Sequence, residues 1–377
     1  MTNIPQFASK NFIGIDLHSD NVQICVMNTV LDEEGQVSGK VVFNKKISLI
    51  KGPEAFIEAI TPFCEGVKHI VAVESTYNWY WMADEFEKRG WNLVLADPST
   101  VSEDKKKATD DRTDAEFIAD RLRHNNLNYT QILTRDTRHL RDLIRMRMET
   151  VQERASRKIQ LINLFTNQLC TRIKSSELVL MEELYTQSRE EPEKEVELME
   201  HLFCKGITNR AQMFKVMCII SELSFFNQEV LKLEAEIDAI LEEFKNHESY
   251  GLANKLRTIK GCGKVLSNLI AWTMTRFKEA GQFASYCRLA PTSKLSNGSS
   301  KGVGNAKNGN AYLSWAFTEL ANLAIRFNDP IRKYYDRMFK RQKLRVKAIR
   351  TLAAKLARAV WHMLKKNENF DLQRLFG

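Results

Sequence analysis

The chain has 377 residues, of which 44% are hydrophobic and 27% are charged, and its net charge is +9. This length allows two or three domains, each with its own core. Seven scattered cysteines without a C-x-x-C pair suit neither a disulfide framework nor a zinc site, and they predict a reducing compartment. No run approaches the roughly 20 apolar residues of a membrane span, and the first residues lack the layout of a signal peptide. We therefore expect a cytoplasmic protein with no membrane partner.

The positive charge is concentrated in one segment. Residues 331–366, called the basic segment below, contain thirteen Lys or Arg and one acid, Asp336. The segment carries +12, and the rest of the chain sums to −3. On a predicted helix this pattern favours contact with a phosphate backbone. A solvated helix face has the same composition, so the charge alone leaves both interpretations open.

Residues 11–123 alternate between strand and helix patterns. Strand patterns cover residues 12–28, 40–50, 69–76 and 92–98, and helix patterns cover residues 52–64, 79–90 and 111–123. This order predicts a sheet layered with helices, an α/β architecture. We assign residues 1–130 to this first domain.

Beyond residue 130 the strand signal disappears. Apolar residues at three-and-four spacing predict long, paired amphipathic helices over residues 137–172 and 222–247, which we assign to a helical coiled-coil region, residues 131–250. Pro192, in an acidic stretch, indicates a loop followed by a helix start. Residues 251–377 form a third, helical domain interrupted by a Gly-, Ser- and Asn-rich loop. The predicted fold class is thus α/β plus all-α.

Two apolar runs within the strand patterns of the first domain are each followed by a carboxylate. Asp16 follows "FIGI", and Glu74 follows "VAV". In an open α/β sheet both acids are expected at strand ends that face one crevice. A lone Asp after a strand is more often a turn former, and His18, on the same strand face as Asp16, is more often a hydrogen-bonded bystander than a ligand.

A third acidic cluster opens the helix predicted from residue 111. Asp111 and Asp114 are three residues apart and project from one face, although an Asp at a helix start is also an ordinary cap. Asp110 competes with Asp111, because it lies one helical turn before Asp114. Converging carboxylates are the hard oxygen ligands that hold Mg²⁺ in phosphoryl-transfer sites. The order of these acids along the chain is that of a ribonuclease H-like nuclease core.

Six segments together carry a family resemblance. They are "GIDLHSD", "VAVEST", "DDRTDAEFIADRL", "TIKGCGKVLSNLIAW", "FASYCRLAPTSKLSNGSSKGVGNAKNGNAYLSWAF" and "IRTLAAKLARAVWHML". In this order they look like segments of the DEDD transposases of the insertion sequence 110 and 1111 groups, relatives of the Piv and MooV DNA recombinases. No single motif is decisive, but the ordered set spans nearly the whole chain.

The resemblance implies two catalytic centres. The four family acids correspond to Asp16, Glu74, Asp111 and Asp114, which would bind Mg²⁺ in a RuvC-like (ribonuclease H-like) domain. The family's serine nucleophile corresponds to Ser296 of "SNG", where Asn297 interrupts the more common Ser-Gly pair. Ser299 and Ser300 are close enough in sequence to be alternatives.

Three segments are expected to contact nucleic acid. The glycines of "IKGCGK" predict a helix-hairpin-helix-like turn whose N–H groups meet a phosphate, although a plain helix connection needs the same glycines. The Gly-, Ser- and Asn-rich segment is expected to be a flexible loop that wraps phosphates with backbone N–H groups. The predicted contacts are Gly261, Gly263, Lys264, Lys294, Lys301, Lys307, Lys340, Arg341, Lys343 and Arg345.

The resemblance implies a DNA transposase or site-specific recombinase, directed by an element-encoded non-coding guide RNA. Its partners would be donor DNA, target DNA and that RNA. It would act as a homo-oligomer, a dimer or tetramer, in a bacterial or archaeal cytoplasm at the nucleoid. Acids from one subunit and the serine from another would form a composite site. Two alternatives remain: a RuvC-like nuclease in which water attacks, and a non-catalytic nucleic-acid-binding protein.

Overall fold

The computed structural model describes residues 11–31, 37–75, 77–96, 111–274, 277, 279–290, 293–296, 299–303 and 309–376. The chain divides into two compact units, Met1–Arg138 and His139–Gly377. A mixed α/β unit is thus followed by a mostly helical one, as the sequence predicts. The division into three domains stays a prediction, because residues 139–250 and 251–377 both lie in the second unit.

The first unit is built on a six-stranded sheet with strand order β3-β2-β1-β4-β5-β6. Strands β1, β4 and β5 are parallel, whereas β2, β3 and β6 pair antiparallel with their neighbours. The elements are β1 (Asn11–Leu17), β2 (Asn21–Leu31), β3 (Val37–Ser48), α1 (Glu54–Cys64), β4 (His69–Glu74), α2 (Tyr80–Arg89), β5 (Leu93–Ala96), α3 (Asp111–Arg123) and β6 (Tyr129–Gln131).

Helices cover both faces of this sheet. Ile13, Ile15 and Val73 pack with Phe56 of α1 and Phe86 of α2 in one apolar core. Alternate residues of the same strands face the opposite side, where Phe12, Ile70 and Ala72 pack with Ile118 and Leu122 of α3. The period-two alternation of the strands therefore divides the unit into three layers.

The predicted strand 12–28 is divided by a turn in the structure. Residues 18–20 separate β1 from β2, and the amide of His18 donates to the carbonyl oxygen of Asn21 at 3.0 Å. His18, Ser19 and Asp20 are exposed. This polar triplet leaves the sheet because none of its side chains gains from burial, and it places Asp16 next to the turn.

Among its described residues, the second unit is helical except for the hairpin formed by Ser293–Ser296 and Ser299–Val303. A long helix that begins at Arg135 enters it, and the described part ends at Phe376. The elements are α4 (Arg135–Leu169), α5 (Ser175–Gln187), α6 (Pro192–Cys204), α7 (Arg210–Glu243), α8 (Glu248–Leu256), α9 (Lys264–Thr273), α10 (Ala280–Tyr286), β7 (Ser293–Ser296), β8 (Ser299–Val303), α11 (Ala311–Phe327), α12 (Asp329–Gln342), α13 (Arg345–Lys366) and α14 (Leu372–Phe376).

The two longest helices, α4 and α7, run antiparallel. Arg147 Nε donates to Glu234 Oε1 at 2.9 Å, Arg154 to Asn227 at 2.7 Å, and Arg157 pairs with Glu222 at 2.6 Å. The residue numbers of the partners on α7 decrease as those on α4 increase, so the two helices are antiparallel. The pairing agrees with the sequence-based expectation, while the coiled-coil assignment stays a prediction.

Pro192 opens α6, as the acidic stretch predicts, because a proline at the first helical position loses no hydrogen bond. Over the residues with described structure, no helix combines the length and apolar character that crossing a membrane requires.

Candidate functional site

Asp16 and Glu74 lie side by side at one edge of the sheet. Strands β1 and β4 are parallel, and their last registered pair is Ile15 with Val73. Asp16 and Glu74 each follow that pair by one residue, so they lie on adjacent strands and point to the same face. Asp16 is only 7% exposed, and Glu74 is half-buried. The predicted convergence of these strand-end carboxylates is therefore present.

Helix α3 lies directly on β1 because β1 carries a glycine at the contact. A Cβ atom on Gly14 would be 2.1 Å from the carbonyl oxygen of Ala115 and 2.5 Å from the amide nitrogen of Ala119. Gly14 and Asp16, two residues apart, share one face of the sheet. The first turn of α3, with the half-buried Asp114, thus packs on the face that carries Asp16.

The fourth acid is not fully described. Asp111 begins α3, but its side chain and all of Asp110 lie outside the described residues, so the choice between them stays open. Among the side chains that the structure does describe, no group of three or more His, Cys, Asp or Glu is arranged to hold a metal ion. The donor chemistry still fits Mg²⁺, which prefers carboxylate oxygens.

The loops after β1 and β4 are bonded to each other beside these acids. His18 Nε2 lies 3.1 Å from Asp16 Oδ2. Asn78 Nδ2 donates to the His18 carbonyl oxygen at 2.9 Å, and the Ser19 and Tyr77 hydroxyls are 2.6 Å apart. His18 therefore orients the Asp16 carboxylate, and the linked loops fix the rim of the site.

The segment predicted to be a flexible serine loop contains a two-stranded hairpin, so part of it has regular secondary structure. Its flexibility stays a prediction. Strand β7 ends at Ser296, β8 begins at Ser299, and these residues pair with each other. Leu295 pairs with Ser300. The Asn297-Gly298 dipeptide of the sequence is a hairpin signal that could have predicted this pairing.

The side chains of the candidate serines and lysines in this segment are not described by the structure. The hairpin places Ser296 at the end of β7, with Ser299, the first residue of β8, opposite it. The side chains of Ser296, Ser299, Ser300, Lys294 and Lys301 lie outside the described residues, and so does the whole of Lys307. The choice of nucleophile among the three serines therefore stays a prediction.

The glycine turn before α9 has the geometry that its sequence suggests. Gly261 adopts a φ of +99°, and a Cβ atom there would be 3.1 Å from the amide nitrogen of Ala324. Gly263 is the N-cap of α9 and has open space around it. Lys264 forms an ion pair with Asp238. The N-terminus of α9 is accessible, but Lys264 already has an acidic partner.

The basic segment forms α12 and α13, joined by a short turn. Lys343 ends α12 in the left-handed conformation, with a φ of 54°. One face of α13 is buried through Leu352, Leu356 and Val360. Most of its cations are exposed, whereas Lys355 is half-buried over the rings of Tyr334 and Phe376. The four predicted contacts are all exposed; they are Lys340, Arg341, Lys343 and Arg345.

Two family models match the chain. A model for DEDD transposases of the IS110 type, described as "Transposase", matches residues 13–168. A second model, described as "Transposase IS116/IS110/IS902 family", matches residues 253–336. The first range contains the carboxylate site, and the second contains the glycine turn and the β7–β8 hairpin.

A relative with the same family name also matches. The "Insertion element IS110 uncharacterized 43.6 kDa protein" of Streptomyces coelicolor is 30% identical over 159 residues. The match covers 41% of this chain and 38% of the relative, so it spans less than half of that protein's length. The class defined by these findings is the transposases of insertion elements. The chain belongs to the IS110 family of transposases.

Proposed function

We propose that the protein is a DNA transposase or site-specific recombinase that cleaves and rejoins DNA. The observation that carries this proposal is the packing of Asp16, Glu74 and the first turn of α3 on one face of the sheet. Membership of the IS110 family supports it. The strand order, with parallel β1 and β4 at its centre, is what a RuvC-like site needs, since it brings two strand-end acids together.

The proposed metal ligands are Asp16, Glu74, Asp111 and Asp114. Bound Mg²⁺ would polarise the scissile phosphate and stabilise the charge on the departing oxygen. Carboxylates that are held close together repel one another, and a bound cation removes that repulsion. His18 Nε2 lies 3.1 Å from Asp16 Oδ2 and so helps to orient the carboxylate. Gly14 lets the first turn of α3, which carries Asp114, pack directly on β1.

Ser296 is the proposed nucleophile. Its Oγ attacks the phosphorus, a serine–phosphate ester forms, and the bond from phosphorus to the 3′ oxygen breaks. The hydroxyl proton leaves to solvent or a nearby base, and the departing 3′ oxygen gains a proton. One phosphoester bond replaces another, so a 3′ hydroxyl can reverse the step and rejoin DNA without an external energy source. We propose that the acids and the serine of one site come from different subunits.

The basic helices α12 and α13 are the proposed binding surface for DNA and a guide RNA. Exposed cations on consecutive helices fit a phosphate backbone, which is recognised mainly through its charge. The exposed Phe339, 43% accessible, and Tyr335 stack at 6.1 Å in α12. Aromatic rings beside cations are typical of surfaces that bind single-stranded nucleic acid.

The test is recombination between two plasmids, one with the DNA junctions that flank this gene in its genome and one with an intact target. Wild-type protein should join them when its copurified RNA is retained. The Asp16→Asn and Glu74→Gln variants should show no product while their thermal melts stay cooperative. A wild-type rate of recombination in Asp16→Asn would contradict the carboxylate assignment. Cleavage without a protein–DNA adduct would instead favour the alternative in which water attacks.

A further inference from the structure

A row of side chains crosses four strands of the first unit at the level of Asp16. Asp16 pairs with Gln23 of β2, and Gln23 pairs with Lys46 of β3. Glu74 occupies the same level on β4, next to Asp16. Directly paired residues point to the same face of a sheet. Lys46, Gln23, Asp16 and Glu74 therefore share the face on which α3 packs.

The row changes from buried acid to exposed cation. Asp16 and Gln23 are 7% and 4% exposed, whereas Lys46, on the edge strand, is exposed. Gln23 Nε2 donates to Asn44 Oδ1 at 2.6 Å. An uncharged polar side chain therefore lies between Asp16 and Lys46. Neighbouring strands are about 4.8 Å apart, so the backbones of Asp16 and Lys46 are about 10 Å apart.

Helix α3 adds a second cation on this side of the acids. Burial raises the pKa of the Cys25 thiol to about 12; the nearby Glu116 carboxylate adds to this increase, and the Arg112 guanidinium opposes it. Cys25, which pairs with Gly14, packs with Ala115 and Ala119 of α3. Arg112 lies three residues before Ala115, so it is on the side of α3 that faces β2. Arg112 is exposed and lies in the first turn of α3.

A nucleic-acid strand that reaches the carboxylates needs compensation from cations. Backbone phosphates are repelled by Asp16 and Glu74, and a cleft lined by acids alone would lower the local concentration of the substrate. A bound metal ion offsets this repulsion at the cleaved phosphate. The phosphates on either side of the cleaved one need cations of the protein. Lys46 and Arg112 lie on the β3 side of Asp16, where they could contact one of these phosphates.

We propose that Lys46 and Arg112 form a subsite for a backbone phosphate of the DNA strand whose cleaved phosphate lies at Asp16. Because the backbones of Asp16 and Lys46 are only about 10 Å apart, the bound phosphate lies within a few nucleotides of the cleaved one. Arg112 offers a planar, bidentate donor, and Lys46 offers a point charge on a flexible stem. Both are positioning residues, and the inference rests on the proposed function.

The neighbouring lysine provides a matched control. Lys45 lies on the same strand and is also exposed, but it pairs with Ile24 and points to the opposite face. We would measure the affinity of wild type, Lys46→Gln, Lys46→Arg and Lys45→Gln for a labelled duplex of the flanking DNA, at several salt concentrations without divalent cation. The readout is the slope of log affinity against log salt, which reports released counterions.

Lys46→Gln should lower the slope by about 0.9, the value for one phosphate contact. Lys46→Arg should restore it, and Lys45→Gln should match wild type. With Mg²⁺, Lys46→Gln should raise KM for DNA more than it lowers kcat, because the cleaved phosphate is not touched. Equal slopes for Lys46→Gln and Lys45→Gln would overturn the subsite. Failure of the wild-type protein to cleave would count against the proposed function instead, since the slope comparison needs no catalysis.

Discussion

A Cβ atom on Gly14 would lie 2.1 Å from the carbonyl oxygen of Ala115. No side chain fits at that distance, so the contact between β1 and α3 requires glycine here. Gly14 is two residues before Asp16, and Ala115 directly follows Asp114. The glycine therefore determines how closely two of the proposed metal ligands approach each other.

The first prediction is that Gly14→Ala moves α3 away from β1. Overpacking of this kind costs about 1–3 kcal/mol of the free energy of unfolding, and we expect recombination to be lost along with it. Gly251→Ala is the control, because this helical glycine is exposed and has nothing within 4 Å. That change should raise stability by about 0.5–1 kcal/mol. Urea denaturation of both variants measures the difference, and a neutral Gly14→Ala would argue against the close contact.

The second prediction concerns repulsion among the carboxylates. Asp16→Asn removes one negative charge from the cluster, so the metal-free variant should melt at the wild-type temperature or above it. Added Mg²⁺ should raise the melting temperature of wild type more than that of the variant, because a ligand that binds only the folded state stabilises it. Asp20→Asn, in the exposed turn after β1, should respond to Mg²⁺ like wild type. Equal responses in all three proteins would count against a metal site at Asp16.

The third prediction concerns a buried cation of the first unit. Arg138 is 1% exposed; it forms an ion pair with Asp84, donates to the Leu133 carbonyl oxygen at 2.6 Å and lies over the rings of Trp79 and Tyr80. Arg138→Met leaves a half-buried carboxylate without this partner and should cost about 3 kcal/mol or more.

The double variant Arg138→Met/Asp84→Leu is the control for that change. Replacing both members of a buried pair by apolar groups is often close to neutral, so it should regain much of the lost stability. Chemical denaturation of the two proteins provides the comparison. A double variant no more stable than Arg138→Met would show that the arginine acts mainly through its other contacts.

The fourth prediction concerns the basic segment. Replacing Lys340, Arg341, Lys343 and Arg345 with Gln should lower the salt slope of duplex DNA binding by about 0.9 for each lost phosphate contact. The control replaces three lysines that already pair with a nearby glutamate; they are Lys194 on α6, Lys232 on α7 and Lys245 just after α7. This control should leave the slope near that of wild type. An unchanged slope in the quadruple Gln variant, for both DNA and RNA, would indicate that the basic segment is only a solvated helix face.

Sequence alone predicted the α/β unit because its strands alternate and end in polar turns. It predicted Asp16 and Glu74 as neighbours because both follow apolar strand patterns. It did not reveal that Lys46 shares their row, since cross-strand register depends on pairing between distant residues. The contact of Gly14 with α3 was equally hidden, although an isolated glycine in a strand pattern indicates close backbone approach.

The nucleophile illustrates a different limit of sequence reasoning. Ser296, Ser299 and Ser300 are close in sequence, and a hydroxyl has no intrinsic signal of reactivity, because activation comes from the surroundings. The hairpin pairs Ser296 with Ser299, which brings the candidates together instead of separating them. The preference for Ser296 comes from the family resemblance, and detection of a covalent protein–DNA adduct tests it.

The most direct test of the account is a covalent adduct on a denaturing gel. Labelled duplex DNA from the element junction is incubated with protein, its copurified RNA and Mg²⁺, and bound label is separated from free label after denaturation. Wild type, Ser299→Ala and Ser300→Ala should form an adduct that EDTA prevents, whereas Ser296→Ala and Asp16→Asn should form none. An adduct that persists in Ser296→Ala, or cleavage by wild type with no adduct at all, would contradict the account.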